Sequence, residues 1–129
     1  MPRSRILALW LPVVVWLAVI FAFSAQPASG LPSVGFLLRK AAHAGEYAVL
    51  AGFLWRALQG QWLSRRAAYI GAWLFTLLYA ASDELHQSFV PGRSPSPVDV
   101  GIDAGGAAAA LLLLALYLSF RPRDRHVAK

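Results

Sequence analysis

No cysteine occurs anywhere in the 129 residues. Disulfides, cysteine-ligated zinc and thiol nucleophiles are therefore excluded. The absence says nothing about redox compartment, because a membrane-embedded fold needs no disulfide staples. Charge is scarce as well. Only 14% of the residues are Asp, Glu, Lys or Arg, where a water-soluble domain carries about a quarter. Acids are rarer still, six against twelve Lys and Arg. A chain that is 58% hydrophobic, with mean hydropathy +0.54, has too little charge to face water on all sides. Much of its surface must meet something else.

What is present is organised in four apolar runs, at 6–23, 41–58, 67–84 and 101–120. Each approaches the length a helix needs to cross a hydrocarbon core of ~30 Å. The second and third need flanking residues to complete the span. Pro12 interrupts the first run in a way that membrane helices tolerate. The length is that of one domain, and no internal repeat is visible. The expectation is an all-α integral membrane bundle of four transmembrane helices, with a charged tail at 121–129. The first run could also be read as a signal peptide, given "PRSR" before it and the small residues of "AFS". Its apolar stretch exceeds a usual signal core, which favours a retained anchor. Between the runs lie a turn-rich "SAQPASGLPS", a short "QGQWLSRR" and a proline-stiffened "VPGRSPSPVD".

The net charge of +6 raises nucleic acid as a partner. The arginines are not interleaved with aromatics, however; they cluster at the ends of apolar runs, a pattern that orients membrane helices. With the N-terminus inside, the inner segments hold Arg3, Arg5, Arg56, Arg65, Arg66, Arg121, Arg123, Arg125 and Lys129. The outer segments hold Arg39, Lys40 and Arg93. Nine against three places both termini in the cytoplasm, with Trp55 and Trp62 near the inner interface.

The same topology sends the ionisable groups to the outer side. Lys40, His43 and Tyr47 share a helical face, with Glu46 beside it. Asp83, His86 and Gln87 form a similar face on the third run, next to Glu84. Arg93, Ser94 and Asp99 lie in the loop, and Asp103 opens the fourth run. Gly101 and Gly105 make a small-xxx-small pair that would let the fourth helix approach a neighbour. A charged side chain at the bilayer centre costs about 2.5–3.5 kcal/mol, so several left unpaired would cost roughly 10 kcal/mol, comparable with total stability. These groups must pair, reach water or hold a ligand.

Two stretches carry a family resemblance. "KAAHAGEYAVLAGF" and "SDELHQSFVPGRSPSPVDVGIDAGGA" resemble the VanZ-like family of small membrane proteins, over about 24–106. Many members of that family carry asparagine where this chain has Asp103, a departure that argues against a required charge there. The resemblance implies a multi-pass location in the bacterial cytoplasmic (inner) membrane and a link to glycopeptide (teicoplanin) resistance. It supplies no reaction.

Three readings of the polar layer follow. In the first, Arg93 with Lys40 contacts the phosphate of a lipid head group, such as that of a lipid-linked cell-wall precursor. Gln87, Ser94, Asp99 and Asp103 would help to bind it. His43, Glu46, Asp83, Glu84 and His86 would form the reactive or positioning set of a hydrolase or transferase, with His86 or Glu84 as general acid or base. "RSPS" invites comparison with membrane lipid phosphatases, but the PSGH stretch of their signature is absent. Ser94 and Ser96 otherwise read as turn formers beside prolines. In the second, the pocket binds without chemistry, or Lys40, Glu46, Asp83, Glu84 and Arg93 form an ion-pair network that pins the helices; "GIDAG" could serve a partner helix. In the third, His43, Glu46, Asp83, Glu84, His86 and Asp99 hold a divalent metal such as zinc or manganese. Lys40 and Arg93 oppose a cation, so metal ranks last.

Overall fold

A computed structural model describes residues 2–30, 35–61 and 63–121. Those residues fold as four helices, α1 (Arg3–Ser24), α2 (Phe36–Gln59), α3 (Arg65–Gln87) and α4 (Pro97–Phe120), with a single 3-10 turn at Ala28–Gly30. Among the described residues there is no strand. Trp62 and the tail beyond Arg121 lie outside the described residues.

The helices are longer than their apolar runs. α2 starts at Phe36 rather than 41, because Arg39 and Lys40 are good helix formers even though they end the oily stretch. α4 starts at Pro97 rather than 101. There Ser96 accepts a hydrogen bond from the Val98 amide (3.2 Å), and Pro97 supplies a φ suited to the first helical position. α3 is capped in the same way, with Ser64 accepting from the Ala67 amide at 3.2 Å.

Contacts between named residues fix an up-down-up-down order. Trp16 Nε1 donates to Glu46 O (2.9 Å) and Arg56 Nη1 to Ala8 O (3.2 Å), so α1 and α2 run antiparallel. Trp73 Nε1 donates to Ala104 O (3.1 Å), tying antiparallel α3 and α4. Tyr79 OH donates to Leu17 O (2.9 Å), joining parallel α1 and α3. Each of these bonds from an aromatic side chain satisfies a half-buried polar tip on another helix, the kind of contact that holds helices together in lipid.

The core is a thin seam. Val13 and Ile20 of α1, Tyr47, Leu50, Ala51, Leu54 and Ala57 of α2, Ala72 and Ala80 of α3, and Ala107 and Leu111 of α4 are buried together. Alanine on α3 and α4 lets the backbones come close. The outward faces stay oily: Leu7, Leu11, Phe21, Leu78, Leu112 and Leu113 are all more than half exposed. A helix apolar on every side, with only a narrow stripe buried, suits a lipid surround rather than water. Two helices, α1 and α4, are long and apolar enough to cross a membrane, with peak hydropathy of 2.7 and 1.8.

α2 and α4 share the most extensive interface. Its close approach is made by Gly106, not by the Gly101–Gly105 pair. A Cβ on Gly106 would lie 2.5 Å from Ala44 O, whereas Gly101 and Gly105 have nothing within 4 Å. The i, i+4 spacing was the visible pattern, but the face that meets α2 is one residue further round.

The topology collects charge at two ends. Arg3, Arg5, Arg56, Arg65, Arg66 and Arg121 fall at one end. Arg39, Lys40 and Arg93, with Glu46, Asp83, Glu84, Asp99 and Asp103, fall in the other half, called the polar end below.

Candidate functional site

The connection between α3 and α4 roofs the polar end. It leaves α3 in tight turns, with Val90 N donating to Gln87 O (3.0 Å) and Arg93 N to Val90 O (3.2 Å). Gly92 takes φ of 74°, which favours glycine, and a Cβ there would also press on Ala28 Cβ at 3.1 Å. Ala28 N donates to Pro91 O (3.3 Å), so the turn after α1 is laced to the roof. Arg93 completes the attachment: its Nη2 donates to Phe23 O (2.9 Å) and Ser24 O (3.5 Å), and its Nε to Gln26 O (3.2 Å). Phe23 O also accepts from Gln26 N at 3.2 Å, so Arg93 adds a second donor there and serves carbonyls at the open C-terminal end of α1 and just past it.

Beneath the roof is a cavity of about 210 Å³, lined by Arg39, Lys40, His43, Glu84, Gln87, Arg93, Ser94 and Asp99, together with Ala28, Phe36 and Gly92. The structure therefore brings Lys40, His43, Glu84, Gln87, Arg93, Ser94 and Asp99 to one place from three helices and the loop. Four other expected residues lie elsewhere. Asp83 and Asp103 are 6% and 1% exposed, in the packed interior, and do not line the cavity. Glu46 is half-buried and does not line it either. His86 faces α1, its ring 4.8 Å from that of Phe21 at 32°. Its neighbours in sequence suggested the pocket, but the helical turn from Asp83 carries it past the α2 side.

The carboxylates of the polar end are mostly engaged by the protein itself. Asp83 Oδ2 accepts from Tyr47 OH and from Gln87 Nε2, each at 3.0 Å. Glu84 Oε2 accepts from Ser96 N at 3.0 Å, supporting the start of α4 from a neighbouring helix. Asp99 pairs with Lys40, whose ammonium also sits 5.4 Å from the centre of the Phe36 ring. That pair is the one ion pair among the described residues. Lys40, Glu46, Asp83, Glu84 and Arg93 thus do not form the ion-pair network considered from sequence; hydrogen bonds to Tyr47, Gln87 and backbone take its place. Asp103 Oδ1 and His43 Nδ1 are buried with no hydrogen-bond partner among the described residues.

The cations are left differently. Arg39 is exposed at the cavity mouth, and its side chain makes no hydrogen bond or ion pair among the described residues. Arg93 spends Nη2 on the end of α1 and Nε on Gln26 just past it, and its Nη1 has no partner among the described residues. From sequence, Arg39 belongs with the outer charges but not with the expected site residues. Its place beside Lys40 was the available signal, because the next position round a helix can still reach the same opening with a long side chain. Among the described residues, no three His, Asp or Glu gather in a group able to hold a metal ion.

The arrangement can hold an anion and can move a proton near it, since His43 and Glu84 share the wall with the unbonded guanidinium groups. A second hollow of about 360 Å³ lies on the other side of Glu84, in the α3–α4 seam, lined by Ala81, Leu85, Ser88, Pro95, Ser96, Pro97 and Val100. Glu84 is the partition between the two.

No curated protein and no solved structure matches the chain. The VanZ/LLP1 family model matches residues 9–118, which takes in every cavity-lining residue and the buried face of every helix. The chain belongs to the VanZ/LLP1 family.

Proposed function

We propose that this protein is a four-span envelope membrane protein that binds the phosphate-bearing head group of a lipid in its roofed pocket. Both termini face the cytoplasm and the pocket opens to the extracytoplasmic side of the bacterial cytoplasmic membrane. One observation carries the reading: the acids around the cavity are committed to protein donors, while the Arg39 side chain and part of Arg93 have no partner among the described residues. A cavity with uncommitted guanidinium groups attracts phosphate more than a cation. The hollow across Glu84 favours a lipid over a free anion, because it offers apolar surface next to the head-group site. The excess of arginine at the opposite end supports the orientation, and the exposed oily faces of α2 and α3 support four spans rather than two.

The test is native mass spectrometry of the protein released from nanodiscs. Wild type should retain a phospholipid or lipid-linked precursor, and Arg39→Gln should retain several-fold less. Equal retention by a folded Arg39→Gln variant would remove the anion pocket. The chain has no native cysteine, so single Ser94→Cys and Ser64→Cys variants report orientation directly, and labelling of both from the same side would refute it.

A catalytic version is favoured by one further observation, the unpartnered His43 Nδ1 beside the cavity. In that version the protein is a hydrolase or transferase acting at the head group, with His43 and Glu84 exchanging the proton. Tolerance to teicoplanin that survives both His43→Ala and Glu84→Gln would leave binding alone as the function.

A further inference from the structure

The α3–α4 seam holds a larger concavity at the opposite, arginine-rich end. It has a volume of about 520 Å³, and its walls are Tyr69, Ile70, Trp73 and Leu74 of α3 and Ala108 and Ala115 of α4, with leucines between. Small residues on α4 face bulky ones on α3, and a slot remains between them. Both aromatic walls are fixed: Trp73 by its bond to Ala104 O, and Tyr69 by stacking on Trp55 with ring centres 5.5 Å apart. Neither aromatic wall is therefore free to swing into the slot.

We propose that this groove holds an acyl chain of an anionic phospholipid whose phosphate rests on Arg66. The proposal rests on the membrane embedding argued above, but not on what the polar pocket binds. An apolar slot open to the bilayer gains dispersion contacts only when a chain fills it. The choice of an anionic lipid comes from charge. Arg66 stands one turn before Tyr69 and Ile70 and two turns before Trp73, on the same stripe of α3, so it lies at the groove's end. Arg65 is adjacent, the first turn of α3 contains no acid, and its amides present the positive end of the helix dipole. Arg66 forms no ion pair among the described residues, and all five described acids lie in the polar half. No described carboxylate can neutralise this end, and a lipid phosphate supplies the missing counter-charge.

The test uses the full chain in phosphatidylcholine vesicles, with tryptophan fluorescence read while a small fraction of lipid carries brominated chains. Brominated phosphatidylglycerol should quench more than brominated phosphatidylcholine at equal mole fraction. Trp73→Phe should remove that excess. Ala108→Leu, which fills the slot without touching the Trp73 bond, should remove it too. Arg65→Gln with Arg66→Gln should weaken the preference on the order of tenfold. Equal quenching by the two lipids overturns the proposal, as does a preference that survives the double arginine variant. Absent quenching together with a cross-linked dimer through the seam overturns it in favour of a second copy as occupant. A chain that fails to float with vesicles refutes the membrane reading itself, whereas one that floats with equal quenching refutes only the groove.

Discussion

Replacing Gly106 by alanine tests the closest helix contact in the fold against its own control. At Gly106 the added Cβ meets Ala44 O at 2.5 Å and the Ala44 C and Cα at 3.0 Å, all backbone. Backbone cannot rotate aside, so α2 and α4 must move apart by several tenths of an ångström. Overpacking of that kind costs about 1–3 kcal/mol. Alanine also returns about 1 kcal/mol of helix propensity, so the net loss is up to about 2 kcal/mol. At Gly105 the new Cβ meets nothing within 4 Å, and only the propensity gain remains. The two variants differ by one position and share the propensity term, so their difference of about 1–3 kcal/mol isolates the packing cost. Reversible unfolding in mixed micelles, followed by circular dichroism, measures it. Should Gly106→Ala unfold with or after Gly105→Ala, the assigned α2–α4 contact is wrong.

Three further expectations use other parts of the same end. Tyr47→Phe removes a donor from the buried Asp83 carboxylate and should destabilise by about 1.5–3 kcal/mol in the same unfolding assay. Ser96→Ala removes the α4 cap and should cost about 1 kcal/mol, with Ser96→Asp recovering most of it. Arg93→Lys keeps the charge but cannot reach the α1 carbonyls from two nitrogens at once, so the Ala28 amide, which bonds Pro91 O, should exchange with solvent faster by hydrogen-exchange mass spectrometry.

The four helices were legible because each apolar run is long and bounded by turn residues. Their true ends were less so. Hydropathy stops at Lys40, but backbone propensity does not, and α4 begins at a capping serine that reads equally well as a loop residue. For the site, spacing brought Lys40 and His43 onto one face and Asp99 near them once α4 started early. Spacing could not separate Glu84, which reaches the cavity, from Asp83, which turns into the core to meet Tyr47. Nor could it place His86, because two residues on a helix are enough to change the neighbour from α2 to α1. The arginines differ from their sequence reading in the other direction. Arg93 reads as a ligand clamp, and two of its three guanidinium nitrogens tie down the end of α1 and the residue just past it; Arg39 reads as a flank, and it stands at the mouth. Those distinctions depend on where the ends of other helices lie, which the local sequence does not encode.

The hold of Arg93 on Phe23, Ser24 and Gln26 makes the leading helix part of the cavity's architecture, though no residue before Ala28 lines it. A chain trimmed of its first 25 residues would keep every lining side chain and lose the mooring of the lid above them. Fusions, leader swaps or proteolysis at that junction should therefore be treated as lesions of the cavity, even where no lining residue has been altered.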